Sequence, residues 1–502
     1  MLSTKSADSG ISTNGDSICS PKGLWMWEKN RTARTPSRTP SVPKTMNLRS
    51  RLRGLTFSWV VVLRVTSLPR SAPTPSEPQV NSLVYQHIVG YLPRCEGAPS
   101  LSSFSPPYGA MKERLSRKVS AIESSITLEV SAIAGRMRAE GHHVIAFGAG
   151  EPDLPTPDVV QDAAVQAIRE GRGRYTPAAG IPALREALSA RFQADGFPLP
   201  ADQVMVTAGA KSALFLAFYA LLNEGDECVF PAPYWSSYTE MVKAGGGTPV
   251  ILATSAGDDF QPDADRLRET LTDRTRVLLL NSPNNPTGTV YSRETLLAIA
   301  EVVRERDLVV ITDDIYEHLI YTDEPFTNLL HVAPDLADRT LVINGLSKSH
   351  SMTGWRMGFA GGPKALIQAM SRTQSQIAGS PPSITQHAAL AALANPPAPD
   401  RLASLDARRR LLMGELAKID GVTCPEPRGA FYAFPDISAY LGKSGVPDAI
   451  AFTKALLEAK LVAAVAGDAF GAPGHIRLTY CTSEEDIREG VRRIGELLSE
   501  LA

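Results

Sequence analysis

From Gln203 onward, short apolar runs alternate with longer amphipathic ones. QVMVTAG precedes AKSALFLAFYALL. DECVFPAP, TPVILAT and RVLLLNSP follow, and then a helical stretch from Ser292 to Arg306, LVVITDDIY and RTLVINGLSK. The short runs are rich in Val, Ile and Leu and lack polar alternation. Each therefore predicts a strand buried on both faces, and together they predict an α/β fold whose mainly parallel sheet is covered by helices. Polar residues interrupt the pattern at strand ends, at positions 209–211, 281–288, 313–316 and 347–348. Ligands of open α/β sheets bind at the carboxyl ends of strands, so these four turns are expected to converge on one site.

Residues 1–110 differ from the rest. They are rich in Ser, Pro and Arg, poor in acids, and without sustained periodicity; regular patterning begins just after Met111. The most apolar piece, FSWVVVL at 57–63, is cut by Arg64 and is too short to span a bilayer. The tract reads as an extension from a start placed too far upstream, with Met111 as the first residue, as a disordered tail, or as an organelle transit peptide. The expected location is the cytoplasm, or an organelle if a transit peptide is present.

Composition narrows the partners. A chain of 502 residues has room for two or more domains and a core that needs no metal or disulfide support. A net charge of -2 provides no field for nucleic acid or an anionic membrane, which leaves a small molecule as the expected partner. The 5 cysteines show no CxxC spacing, so neither a disulfide framework nor a zinc site is suggested. His142 and His143 are adjacent and point to different faces of any regular element, which argues against a metal site there.

The strand ends carry chemistry. A lysine amine is a nucleophile only when unprotonated, and its ordinary pKa of about 10.4 must be overcome; Schiff-base chemistry with a carbonyl cofactor meets that need. Lys348 lies between Ser347 and Ser349 in a turn of small residues, a place that argues against an ordinary solvated lysine. Asp313 ends the apolar run LVVI, where a carboxylate is costly without a cation; a protonated pyridine nitrogen would serve, and capping of a following helix is the alternative. Tyr316 then falls on the same helical face as Asp313. TAGAKS at 207–212 reads as a strand-to-helix turn suited to phosphate, with Arg356 as a bidentate donor and Ser347 as a hydroxyl. Trp235 would stack on a flat ring or fill the core, and Asn285 in NSPNNPTG suits a site or a tight turn equally.

Taken together, GAGEPDLPTP at 148–157, GRYTPAAGIPALREAL from 173, TAGAKSAL, PAPYW, NSPNNPTG, TDDIYEHLIY, GLSKSHSMTGWRMG at 345–358, RGAFYAFPD from 428 and HIRLTYCTSEE from 475 resemble the fold-type I, class I pyridoxal-phosphate aminotransferases. The likeness is strongest to the bacterial aspartate aminotransferases of subgroup Ib and runs from about Met111 to the C-terminus. It implies pyridoxal 5′-phosphate held by Lys348, with Asp313 on the pyridine nitrogen, Asn285 and Tyr316 on the phenolic oxygen, and Trp235 on the ring face. Ala210, Lys211, Ser347 and Arg356 would hold the phosphate, joined by Tyr175 of a neighbouring subunit in a homodimer with shared sites. Arg477 would clamp the substrate α-carboxylate, its planar fork matching that group, with the backbone of Gly150 assisting. Lys348, Asp313 and Tyr316 would form the catalytic set of a ping-pong reaction in which Lys348 moves the proton. The resemblance also divides the chain into an arm and part of a small domain at 111–158, a large cofactor domain at 159–409, and the rest of the small domain at 410–502.

Lys211 bears on the substrate, since the matching lysine of the Ib enzymes reaches a distal carboxylate; L-aspartate or another dicarboxylic amino acid with 2-oxoglutarate is the expected pair. Ala210 replaces a family glycine, and QIAGSPPSITQH departs from the commoner Ser-rich, Trp-containing version. Glu123 stands where prephenate-accepting relatives tend to carry a basic residue, which weighs against prephenate. The alternatives are aminotransfer from alanine, methionine, aromatic amino acids or prephenate, and carbon–sulfur β-elimination on the same scaffold. A cofactor-sensing regulator would need a helix-turn-helix in residues 1–110, whose Pro/Ser-rich sequence lacks that pattern.

Overall fold

The structure is a computed structural model that describes residues 114–443 and 445–501, together with the backbone of residues 46–52 and 55–61. The chain divides into two units, Met1–Ser100 and Leu101–Ala502. The first is described only through an antiparallel pair, β1 (Met46–Leu52) and β2 (Leu55–Val61). The sequence pattern had not marked these strands. The other expectations for residues 1–110, and the proposed start at Met111, lie outside the described residues.

In the second unit seven strands form one sheet: β4 (Val204–Thr207), β5 (Glu227–Pro231), β6 (Thr248–Leu252), β7 (Thr275–Asn281), β8 (Val309–Asp313), β9 (Thr340–Gly345) and β10 (Gly358–Gly361). Their order is β4-β10-β9-β8-β7-β5-β6, and only β10 runs against its neighbours. Six of the seven match the apolar runs of the sequence. GFAG of β10 was invisible because four small residues carry no periodic signal.

Alternation along the strands explains why the runs are uniformly apolar. Val206, Val229, Leu278, Val310 and Phe359 face one buried cluster, whereas Met205, Cys228, Leu279, Ile311 and Ala360 face another. Strands β4, β5, β7, β8, β9 and β10 thus bury both faces between helices, among them Ala210–Leu221 and Arg293–Arg306, whereas β6 departs from the expectation: at the sheet edge it turns only Val250 and Leu252 toward the core and leaves Ile251 39% exposed. Ser292 caps the latter through Thr295 N–H.

A third core gathers Ile145 and Phe147 with the helices Pro399–Leu416, Ala449–Lys460 and Glu484–Leu501. Short strands complete it. Parallel β3 (Ile145–Ala146) and β12 (Val462–Ala463) join the two ends of the unit, and β11 (Tyr432–Ala433), β14 (Ile476–Thr479) and β13 (Val465–Ala466) form an antiparallel sheet centred on β14.

Register places the strand ends in one row. Gly358 pairs with both Thr207 and Gly345, while Asp313 stands opposite Asn281 and Ile343. The four polar turns therefore meet at one edge of the sheet.

Candidate active site

That edge opens into a cavity of about 480 Å³. Lys348, Asp313, Tyr316, Asn285, Trp235, Ala210, Lys211, Ser347, Arg356, Gly150 and Arg477 all line it. Tyr175 does not; it is 96% exposed.

Lys348 follows β9 in a turn, and its Nζ donates to the carbonyl of Gly150. Burial lowers its pKa to about 8, since a buried ammonium is poorly solvated. A usable fraction of free amine is therefore present near neutrality.

Asp313 closes β8 and is buried. Its Oδ2 accepts from the Tyr238 hydroxyl at 2.6 Å, while Oδ1 has no hydrogen-bond partner of ordinary geometry among the described residues. Burial raises its pKa to about 6, against the opposing pull of Tyr238, the Ile315 amide and Lys348. An orphaned carboxylate oxygen lining a cavity calls for a donor from a bound group. No helix follows it: residues 315–318 form turns. Asp313 is thus not a helix cap, and Tyr316 does not share a helical face with it. Tyr316 reaches the cavity through the turn and meets the Tyr432 hydroxyl at 3.0 Å.

Arg477 sits on β14, 1% exposed. Its Nη1 donates to Asn285 Oδ1 and its Nη2 to the carbonyl of Gly148, both at 2.9 Å, and its Nε is buried without a partner among the described residues. The bond from Arg477 fixes the Asn285 amide with its NH₂ group free of that contact. Asn285 N–H in turn donates to Asn281 Oδ1, and Asn281 Nδ2 to the carbonyl of Asp313.

An anion cradle lies at the other strand ends. Among the described residues no side chain caps the helix Ala210–Leu221, whose first amides and dipole favour negative charge. Gly209 has φ 87°, and a Cβ there would lie 2.5 Å from Arg356 Nη2. A Cβ on Gly358 would fall 2.3 Å from the backbone of Gly209 and Ala210, so glycine at the start of β10 lets the turn before it bring Arg356 against the helix start. Lys211 Nζ donates to Ser237 Oγ at 3.1 Å and lies 4.6 Å from the Trp235 ring centre. Burial, then the charge of Arg356, lowers its pKa.

Four cationic side chains thus face two carboxylates, Asp313 and Glu151. The excess suits a phosphate together with a substrate carboxylate. Sequence reasoning had overlooked Tyr238 and Tyr432. Tyr238 sits one helical turn beyond Trp235, and Tyr432 lies within RGAFYAFPD; nothing in either stretch marks a tyrosine that touches polar partners rather than core.

Fold and site together define a cofactor-dependent enzyme with a lysine at the end of a parallel sheet. The model of the family "aminotransferase class I and II" matches residues 142–494, and the chain belongs to that family. It is 43% identical over 408 residues to an aspartate aminotransferase of Streptomyces avermitilis, covering 80% of this chain and 99% of the relative. It is 44% identical to an aspartate/prephenate aminotransferase of Cereibacter sphaeroides, covering 76% and 97%. Among solved structures, the aspartate aminotransferase from Thermus thermophilus with maleate superposes with a TM-score of 0.71 at 42% identity, covering 76% of this chain and 99% of that one. The chain is an aminotransferase, and the cofactor of its family is pyridoxal 5′-phosphate. The orphaned Asp313 Oδ1, the uncapped helix beside Arg356 and the near-neutral Lys348 amine fit that group.

Proposed function

We propose that the chain transfers the amino group of L-aspartate, or a closely related dicarboxylic amino acid, to 2-oxoglutarate. The observation that carries this reading is Lys211, an amine in the cavity beyond those needed for one phosphate and one α-carboxylate. Relatives named as aspartate aminotransferases, and a structural neighbour described with the dicarboxylate maleate, support it.

When bound, pyridoxal phosphate supplies an aldehyde for amine exchange and an electron-withdrawing ring. Lys348 would anchor it and, once displaced, hold the substrate Cα proton on Nζ; a pKa of about 8 suits an amine that must take up and return a proton. Asp313 Oδ1 would pair with the ring nitrogen, and Asn285 and Tyr316 would donate to the phenolic oxygen. Trp235 would cover the ring face. Ala210, Ser347 and Arg356 would receive the phosphate, leaving Lys211 for the distal carboxylate, with Tyr175 supplied by a second copy in a homodimer. Arg477, assisted by Gly150, would orient the α-carboxylate, which fixes the Cα–H bond relative to Lys348.

The test uses purified protein with pyridoxal phosphate, its absorbance followed on adding L-aspartate, L-alanine or L-phenylalanine. Aspartate is expected to convert the band of the lysine-bound cofactor to that of the aminated form far more readily than the others. Lys211→Met should raise the half-saturating aspartate concentration about tenfold or more, as for loss of a charged hydrogen bond, and leave alanine unchanged. Equal losses for both amino acids would assign Lys211 to the phosphate alone and sink the dicarboxylate reading.

A further inference from the structure

Tyr432 touches two groups of the cavity at once. Its hydroxyl lies 3.0 Å from that of Tyr316, and its ring lies 4.5 Å from the guanidinium carbon of Arg477. It is 1% exposed and lines the cavity. A Cβ on Gly150 would stand 3.0 Å from its hydroxyl, so a bare backbone there admits the ring.

Two hydroxyls in contact share one proton and leave the other for a further acceptor. When Tyr432 donates, the Tyr316 proton is left for the cavity. When Tyr316 donates, its proton is spent between the rings. We propose that Tyr432 is a positioning residue that directs the Tyr316 hydroxyl into the cavity and, through its ring face, holds the Arg477 fork flat. The proposal rests on the reading of Tyr316 and Arg477 given above. It links the end of the site that meets the cofactor's phenolic oxygen to the end that meets the substrate carboxylate.

The two halves of the side chain separate by substitution. Tyr432→Phe keeps the ring and removes the hydroxyl, while Tyr432→Leu removes both. A hydroxyl that accepts one bond donates more strongly in a second, because linked bonds polarise one another. Negative charge on the phenolic oxygen is greatest after the nitrogen joined to Lys348 has lost its proton, so a strong Tyr316 bond favours that form. Weakening the bond must raise the pH midpoint of the cofactor's absorbance change.

The experiment titrates the absorbance of the holoenzyme with pH, and measures saturation by the amino acid, for wild type, Tyr432→Phe, Tyr432→Leu, Tyr316→Phe and Tyr316→Phe/Tyr432→Phe. Tyr432→Phe is expected to raise the midpoint by about 0.3–0.5 unit, roughly a two- to threefold change in the protonation equilibrium, with saturation nearly unchanged. Tyr432→Leu should show the same rise and also weaken saturation about three- to tenfold, from loss of the cation–π face. In the Tyr316→Phe background, Tyr432→Phe should move the midpoint no further. An unchanged midpoint in Tyr432→Phe, or an equal rise with and without Tyr316, overturns the proposal while leaving the aminotransferase reading intact. A wild type that shows no band of lysine-bound cofactor at any pH overturns both this proposal and the role given to Lys348.

Discussion

Replacing Asp313 with Asn should make the cofactor-free protein more stable while destroying its use of the cofactor. A carboxyl whose pKa rises from 3.8 to about 6 on folding is disfavoured in its charged form by about 3 kcal/mol at neutral pH. The sign follows from the direction of the shift. Stability associated with this group is full below about pH 3.8 and is lost as pH rises through about 6. Asn keeps an acceptor for the Tyr238 hydroxyl and carries no charge, so it escapes that loss, though its NH₂ inherits the orphaned place of Oδ1. We expect a gain of about 1–3 kcal/mol for Asp313→Asn over wild type at pH 7.5, both stripped of cofactor. Urea denaturation at pH 7.5 and pH 4 measures it, and the gap should shrink toward zero at the lower pH. With pyridoxal phosphate present the order should reverse, because the wild-type carboxylate gains its cationic partner. A less stable Asp313→Asn at pH 7.5, or a gap of equal size at both pH values, would refute the view that Asp313 is held at a cost in the cofactor-free protein.

The Lys348 amine, with a pKa lowered to about 8, should capture pyridoxal phosphate faster as pH rises toward 8 and level off above it. Stopped-flow absorbance between pH 6.5 and 9.5 tests this; a rate still climbing tenfold per unit above pH 9 would mean an unperturbed lysine. Arg477→Lys should raise the half-saturating concentration of every amino acid substrate about tenfold or more, since an ammonium cannot reproduce the fork. A loss confined to aspartate would instead mark Arg477 as a reader of the side chain. Gly358→Ala must push the start of the helix Ala210–Leu221 away from β10, since the clash at 2.3 Å is with backbone. Cofactor affinity should fall with a thermal destabilisation of about 1–3 kcal/mol, and an unchanged affinity would detach the helix start from anion binding.

How much of this was legible depended on periodicity. Five strands announced themselves because burial on both faces demands continuous Val, Ile and Leu, and the edge strand β6 did so although only one of its faces is buried. The seventh, GFAG, did not, because its residues are chosen for closeness rather than hydrophobic bulk: Gly358 and Gly361 both stand where a Cβ would strike neighbouring atoms. The same strand carries the antiparallel exception, so its absence from the sequence pattern also hid the one reversal of direction. Asp313 was read correctly as a carboxylate at the end of an apolar run, yet the run's continuation looked helical and the structure turns instead. Three residues on, Tyr316 reaches the cavity by that turn, a route that spacing alone does not distinguish from a helical face.

Residues that act on other side chains were illegible for a different reason. Tyr238 and Tyr432 are buried aromatics in apolar surroundings, and their significance lies in the single polar atom each presents to Asp313 or Tyr316. A sequence shows the ring and not the partner. The partners matter because the side chains alone leave the site electrostatically unfinished: among the described residues Asp313 Oδ1 and Arg477 Nε are buried without a hydrogen-bond partner of ordinary geometry, and Lys348 is poorly solvated as a cation. Each such group destabilises the cofactor-free protein and is relieved by a ligand of opposite or complementary character. Tyr238 and the Arg477–Asn285 bond keep these groups from relaxing into contacts of their own. Their rigidity turns the unfinished charges into binding energy for the cofactor and the carboxylate, instead of letting local rearrangement dissipate it.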